Sequence, residues 1–265
     1  MTVNELMNEL FAWCKEDKPF EFERTCDTLK SGSGDTELKK VAVTMHATAK
    51  IIREAHEWGA QLIIVHEPTF YDHWDDKMEN DPVTEAKAAL LEKTGMAVWR
   101  FHDHPHKKAV DLIREGNCRA LGLTGEIVDK GYYANVTFIP DQTVTVRQIA
   151  ERYRDLGGDN VRVCGNQDAV CKRIALAFGT PAGVWESLRS PDVDLVLTGE
   201  TCEWMLGEYA RDAGDLGFNK ALIILGHIVS EREGMKYLAE ILQKKYAGQF
   251  ETKYMECGEV YKTCR

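Results

Sequence analysis

Apolar and polar positions along this chain follow two rhythms. Thr2-Val-Asn-Glu5 reads as a capping box, and Val3, Leu6, Met7, Leu10 and Phe11 then recur at helical spacing. Residues 15–36 are polar and irregular, with Ser-Gly-Ser-Gly at 31–34 predicting a turn. From Lys39 onward, short apolar runs alternate with helical stretches. The runs at 41–45, 61–65 and 96–101 predict strands. Residues 47–58 and 84–94 predict helices closed by Gly59 and Gly95, and a further helix is predicted over about 107–120. This β-α-β-α order points to a mostly parallel sheet covered by helices.

The middle of the chain changes character. Residues 132–139 alternate and are β-rich, 145–156 read as a helix, 161–163 and 172–178 as strands, and 179–183 as a sharp turn. The doubly wound pattern then returns, with strands at 193–198 and 220–225, helices at 202–212 and 229–245, and a last strand near 249–255. The expectation is an α/β protein in which residues 1–125 and 186–265 form one lobe and 126–185 a smaller inserted lobe.

Composition narrows the function classes. An apolar fraction of 44% over 265 residues suits a globular protein with a real core. A net charge of -10 argues against general affinity for nucleic acid or an anionic membrane. No apolar run approaches the ~20 residues that span a bilayer, and no basic stretch precedes an apolar run near Met1, so no signal peptide is expected. Eight scattered cysteines without a Cys-x-x-Cys pair suggest reduced thiols and a cytoplasmic setting.

Three predicted strands run straight into metal-binding residue types. Strand 61–65 leads to His66-Glu67-Pro68. Strand 96–101 leads to His102-Asp103-His104-Pro105-His106. Strand 220–225 leads through Gly226 to His227, with Glu231 four residues on. Ligands of open α/β sheets bind outside the carboxyl ends of the strands, so these groups are expected to converge. Mixed imidazole and carboxylate donors suit zinc, manganese, iron, cobalt or nickel. Each group has a plainer reading too: a polar strand cap at 66–67, a solvated loop at 102–106, and an acidic first helical turn at 227–231. Glu200, after Thr198-Gly199, is either a proton-transfer group or an ordinary loop carboxylate. The aromatic loop at 70–74 either stacks a planar substrate or packs beneath the loop. Dinucleotide, Walker A and Gly-x-Ser-x-Gly motifs are absent.

Met45-His-Ala-Thr48 followed by Gly59-Ala-Gln-Leu-Ile-Ile-Val-His-Glu-Pro-Thr-Phe70 resembles the signature of the NIF3-like proteins, also named GTP cyclohydrolase 1 type 2 homologues. That signature reads D-A-T, then G-A-D-L-I-I-x-H-H-P-L-F. Val163-Cys-Gly165, Lys172-Arg-Ile-Ala-Leu-Ala-Phe-Gly179, Leu197-Thr-Gly-Glu200 and Leu225-Gly-His-x-x-Ser-Glu231 follow in the family's order, so the likeness covers about residues 35–245. It implies two linked α/β lobes, a homohexamer, and two divalent metal ions per chain. The ligands it implies are His66, His227 and Glu231, the last bridging both ions. Two positions depart: Glu67 stands where the family has a second His, and the family's Asp falls on His106, with Asp103 the nearest carboxylate. It further implies a metal-dependent hydrolase acting through an activated water on a small, nucleotide-like molecule, with Glu200 as proton shuttle. The rival expectation is a non-enzymatic metal-binding scaffold or regulator.

Overall fold

Leu62-Ile-Ile-Val65 is completely buried, and so are the neighbouring runs at 41–44 and 97–100. Strands covered on both faces read as continuous apolar runs and belong to parallel sheets with helices on either side. The computed structural model describes residues 1–130, 136–180, 182–262 and 264. The part of the 132–139 expectation that falls on 132–135, and position 181 in the expected 179–183 turn, lie outside the described residues.

In chain order the elements are α1 (Val3–Lys15), β1 (Leu29–Ser31), β2 (Lys40–Thr44), α2 (Ala49–Trp58), β3 (Leu62–Val65), α3 (Pro82–Thr94), β4 (Ala97–Arg100), α4 (Asp103–Lys107) and α5 (Leu112–Ala120). There follow β5 (Gly125–Lys130), β6 (Val136–Pro140), α6 (Val146–Asp155), β7 (Arg162–Gly165), β8 (Ile174–Ala177), α7 (Val184–Arg189), β9 (Leu195–Thr198), a π-helical turn (Glu203–Gly207), α8 (Glu208–Asp215), β10 (Ala221–Ile224), α9 (His227–Lys245) and β11 (Glu251–Tyr254). Two of the predicted helix starts are chemically explicit: Thr2 and Thr145 each form a complete capping box. Gly59 and Gly95 close α2 and α3 in the left-handed conformation, at φ 84° and 63°.

The chain divides into two compact units, Met1–Ile113 with Gly234–Cys257, and Arg114–Glu233 with Gly258–Arg265. The first holds a five-stranded sheet in the order β1-β4-β3-β2-β11. It is parallel from β4 to β11, with β1 antiparallel at one edge. The carboxyl ends of β2, β3 and β4 therefore lie side by side.

The second unit holds a six-stranded sheet, β5-β6-β8-β9-β10-β7. Its central strands β8, β9 and β10 are parallel. Along them, Ile174, Leu176, Leu195, Leu197, Ala221 and Ile223 enter one core, while Ala175, Ala177, Val196, Leu222 and Ile224 enter another. That alternation is the two-residue period of a strand. Both faces are apolar because both are covered.

This arrangement corrects the expected lobe boundaries of 126–185. β9 hydrogen-bonds to β8, and β10 to β9, so 186–233 joins the second unit, which begins at Arg114. Periodicity finds strands but carries no record of which strand they pair with. The predicted helix at 107–120 is two helices, α4 and α5, and the predicted helix at 202–212 starts as a π turn. β1, β5 and α7 were not predicted; each is short or polar. No helix among the described residues is long and apolar enough to cross a membrane, and no disulfide forms among them.

Candidate metal centre

Three imidazoles meet beyond the ends of β3 and β4. At the end of β3 the amides of His66 and Glu67 both donate to the carbonyl of Met45, at 3.2 and 3.0 Å. Two successive amides on one acceptor turn the chain out of its ladder, which lets adjacent side chains leave the strict up-and-down alternation of a strand. His66 is fully buried, and its Nδ1 lies 3.2 Å from the carbonyl oxygen of Phe101. A carbonyl can only accept, so Nδ1 carries the proton and Nε2 the lone pair.

β4 hands over to α4 through an unusual cap. The carboxylate of Asp27, from the irregular segment before β1, accepts the amides of His102, Asp103 and His104 at 2.7–2.9 Å, and His104 Nδ1 at 2.7 Å. These amides would otherwise lack intrahelical partners. Pro105 fits because it stands in the first turn, where no N–H is required. The cap fixes the direction of the His102–His106 segment.

His102 Nδ1 is 2.9 Å from Asp103 Oδ1, and Asp103 Oδ2 in turn accepts from the Thr25 hydroxyl at 2.7 Å and the Cys26 amide at 3.0 Å. Burial alone would raise the Asp103 carboxyl. The hydrogen bonds from His102, Thr25 and Cys26, with the charge of His102, overrule it and hold the group well below the usual carboxylate range. Asp103 is thus an ionised acceptor. His106 Nδ1 meets the buried carboxylate of Asp111 at 2.9 Å.

Each ring therefore spends Nδ1 on an oxygen. The Nε2 atoms of His66 and His106 are 3.2 Å apart, and one ring nitrogen from each of His66, His102 and His106 lies within 4.8 Å of the others. Two neutral imidazoles presenting lone pairs at this distance need a proton or a cation between them. Burial, then the charges of His102 and His106, push the His66 imidazole well below its ordinary value, so a shared proton would belong to His106, backed by the Asp111 carboxylate, and a cation between the rings is the other solution. A tetrahedral zinc ion with Zn–N distances of ~2.0–2.1 Å holds its nitrogens roughly 3.3 Å apart. The cluster fits a divalent transition metal in distance, tautomer and donor type, with an orienting oxygen behind every ring as metal-bound histidines commonly have.

Glu67 is buried beside Arg100, its Oε2 3.6 Å from a guanidinium nitrogen. Of the two alternatives at 103 and 106, the structure sets the His106 ring among the imidazoles and sets Asp103 behind His102. His102 itself was not singled out in the sequence beyond its place in the His-rich run. The signal was there: it is the first residue after the β4 segment, as His66 is after β3. Asp27, Thr25 and Asp111 carried no signal, since nothing in the sequence ties a loop carboxylate to a partner 75 residues away.

In the second unit the ends of β8, β9 and β10 carry Gly179, Gly199-Glu200 and Gly226-His227. His227 begins α9. Its Nδ1 is 3.0 Å from the Thr180 hydroxyl and 3.1 Å from Glu200 Oε1, and its Nε2 is 3.2 Å from Glu231 Oε2. His227 and Glu231 thus share one helix face, as their four-residue spacing requires. Gly179, at φ 71°, lies under this carboxylate: a Cβ there would stand 2.6 Å from Glu231 Oε1. The Gly179 amide donates to Ser230 Oγ at 2.9 Å and its carbonyl accepts the Glu200 amide at 3.0 Å, which ties the three strand ends together.

The sequence matches the Duf34/NIF3 (NGG1p interacting factor 3) family over residues 1–259. The chain, an α/β protein of two compact units, belongs to this family. Among its relatives is a Clostridium perfringens protein named GTP cyclohydrolase 1 type 2 homolog, 25% identical over 240 residues, covering 87% of each chain. Another is NGG1-interacting factor 3 of Saccharomyces cerevisiae, 23% identical over 257 residues, covering 88% of this chain and 85% of the relative. The fold is shared with the solved structure of the protein ybgI, at a TM-score of 0.78 and 18% identity, covering 98% of this chain and all of that one.

Proposed function

We propose that this protein is a metal-dependent hydrolase that binds two divalent transition-metal ions per chain. The observation that carries the reading is the His66–His102–His106 cluster, in which each Nδ1 meets an oxygen, His66 and His106 face each other through Nε2 at 3.2 Å, and a ring nitrogen of His102 lies within 4.8 Å of theirs. In this reading His66, His102 and His106 hold one ion, with Glu67 beside His66 and Asp103 orienting His102. His227 and Glu231 serve the second ion.

Bound divalent cations supply Lewis acidity and bring the pKa of a coordinated water toward ~7. The remaining chemistry belongs to the chain. Glu200, 3.1 Å from His227 Nδ1 and partly open to solvent, holds and releases a proton at its carboxylate. His66 and Glu67 are buried, so their side of the centre is kept from bulk water. The substrate is a small molecule with an electrophilic carbonyl, phosphoryl or ring carbon, nucleotide-like by analogy with the name of the Clostridium perfringens relative. The working form is a cytoplasmic homohexamer.

The test is turnover by zinc- or manganese-loaded protein against nucleotides, phosphoesters and cyclic amides. The reading expects a metal-dependent product that is lost in His227→Ala and reduced in Glu200→Gln. Silence across the panel from protein that does hold metal favours the second reading, a metal-binding scaffold acting through protein contacts. The name of the yeast relative, an interacting factor, supports that alternative.

A further inference from the structure

The loop between β3 and α3 carries chemistry that the proposed reaction leaves unused. Its backbone is strained: Tyr71 and Asp75 are both in the left-handed region, at φ 68° and 63°. For residues with a Cβ that conformation carries a cost, and such positions cluster at functional sites. Three buried charges hold the loop in place. The Asp75 side chain, 2% exposed, accepts the amides of Thr69 and Phe70 and pairs with Lys30 at 3.1 Å. The buried guanidinium of Arg100 donates to the carbonyl of His73. Next along the chain, Asp72 Oδ2 accepts the Trp74 amide at 2.8 Å, and Lys30 Nζ donates to the Trp74 carbonyl at 3.5 Å. The backbone at 73 and 74 is thus fixed.

What this scaffold presents is an imidazole in solvent. His73 is exposed. Its ring lies 6.4 Å from that of His102, at right angles to it, and 4.6 Å from the Trp74 ring. His66, His102 and His106 each commit a ring nitrogen to an oxygen. His73 does not: among the described residues its ring nitrogens make no hydrogen bond or ion pair. Nor does it fall in the groups of described residues whose donor atoms are close enough to share one ion. It stands one small group away from the cluster.

Arg24 completes the arrangement. It immediately precedes Thr25, whose hydroxyl donates to Asp103, and its guanidinium lies 3.7 Å from the centroid of the Trp74 ring. This cation–π contact locates the charge without using the N–H donors. Arg24 is exposed, and among the described residues no hydrogen bond or ion pair answers those donors. The carboxylates of Asp72 and Asp75 do not compete for them, being turned onto backbone amides.

We propose that His73 and Arg24 form a phosphate-recognition subsite beside the metal centre, and that the substrate is a phosphorylated small molecule. Three partners surround the space: the metal cluster, an imidazole and a guanidinium. A phosphoryl group offers three acceptor oxygens on one centre, one for each partner, where a carboxylate offers two. Arginine recognises phosphate through paired N–H groups, and His73 donates through a ring nitrogen. The inference rests on the metal-binding reading above and names the substrate class for it.

The test is binding of inorganic phosphate to the whole chain, loaded with zinc, freed of excess and titrated by calorimetry. Zinc affinity is measured in parallel by competition with a chromophoric chelator. The proteins are wild type, Arg24→Ala, Arg24→Lys and His73→Ala. Both side chains are exposed, so folding is expected to be retained, and thermal midpoints check it. Arg24→Ala and His73→Ala are each expected to weaken phosphate binding about 10-fold, the lower end of what a hydrogen bond to a charged group contributes. Arg24→Lys keeps the charge without the planar fork and is expected to fall between wild type and Arg24→Ala. Zinc affinity is expected to stay within about threefold of wild type throughout.

Wild type that holds zinc but binds no phosphate, or variants that bind phosphate as wild type does, overturn the subsite and leave the metal centre standing. A matching loss of zinc affinity in the variants also overturns it, because the two residues would then support the metal and not the substrate. Wild type that takes up no zinc overturns the metal reading, and the subsite with it.

Discussion

His66 and His106 face each other through their Nε2 atoms at 3.2 Å, while the opposite nitrogen of each ring is held by an oxygen. Two lone pairs so placed repel unless something positive lies between them. The backing oxygens make this arrangement directional. Replacing Asp111 by Ala frees the His106 ring to rotate and removes the acceptor that fixes its tautomer. Zinc affinity is expected to fall by about 10- to 100-fold, while the far-ultraviolet circular dichroism is unchanged. An affinity within threefold of wild type would show that the Asp111–His106 contact has no part in metal binding.

Asp27 is a structural keystone of the same region. Its carboxylate accepts three backbone amides and one imidazole nitrogen. Asp27→Ala leaves those donors without their acceptor, which at ~1–3 kcal/mol for an unsatisfied buried group predicts a loss of about 2–4 kcal/mol after relaxation. Urea denaturation of the metal-free protein measures it directly. A loss under 1 kcal/mol would mean that water replaces the carboxylate.

Lys87 gives the protein a pH dependence away from the metal centre. It is 7% exposed, donates to the Thr69 carbonyl, and burial pushes its amine down from 10.5 to about 8, against a smaller opposing effect of Asp75. Between those two values the unfolded chain binds more protons than the folded one, so stability attributable to Lys87 rises with pH across that window. Below about pH 8 the full cost applies, at most about 3 kcal/mol. Lys87→Met is expected to flatten the stability difference between pH 8 and 10 relative to wild type. An identical slope in both proteins would contradict the assignment.

Gly179 is constrained twice, by its positive φ and by the Glu231 carboxylate 2.6 Å from where a Cβ would be. The left-handed conformation alone costs an alanine about 1 kcal/mol, and the clash adds to it. Gly179→Ala is expected to destabilise by about 1–3 kcal/mol and to displace Glu231 from His227. Chemical denaturation supplies the first value. A crystal structure of the variant with an unmoved Glu231 would contradict the second.

Much of the fold was legible in the sequence because buried parallel strands announce themselves: 62–65, 97–100, 195–198 and 221–224 are short, wholly buried, apolar except for Arg100 and Thr198, and bounded by turns. The strand-end histidines at 66 and 227 were legible for the same reason, since the position follows once the strand is found. What could not be read was pairing. Nothing in 193–198 says that it pairs with 174–177, so the lobe boundary was misplaced. Nothing in the polar run 15–36 says that Thr25 and Asp27 reach Asp103 and the start of α4. Hydrogen bonds across 75 residues of chain leave no periodic trace. Choosing between Asp103 and His106 needed the same knowledge, namely which side chain turns toward His66 and which turns toward Thr25.

The central claim is that His66, His102 and His106 hold a divalent metal ion. Elemental analysis of wild type and His102→Ala, each reconstituted with zinc and freed of excess, tests it most directly. The account predicts at least one equivalent per chain in wild type, two if the second site fills, and one equivalent fewer in the variant. Wild type that stays metal-free after reconstitution, or a variant with the same metal content, would contradict it.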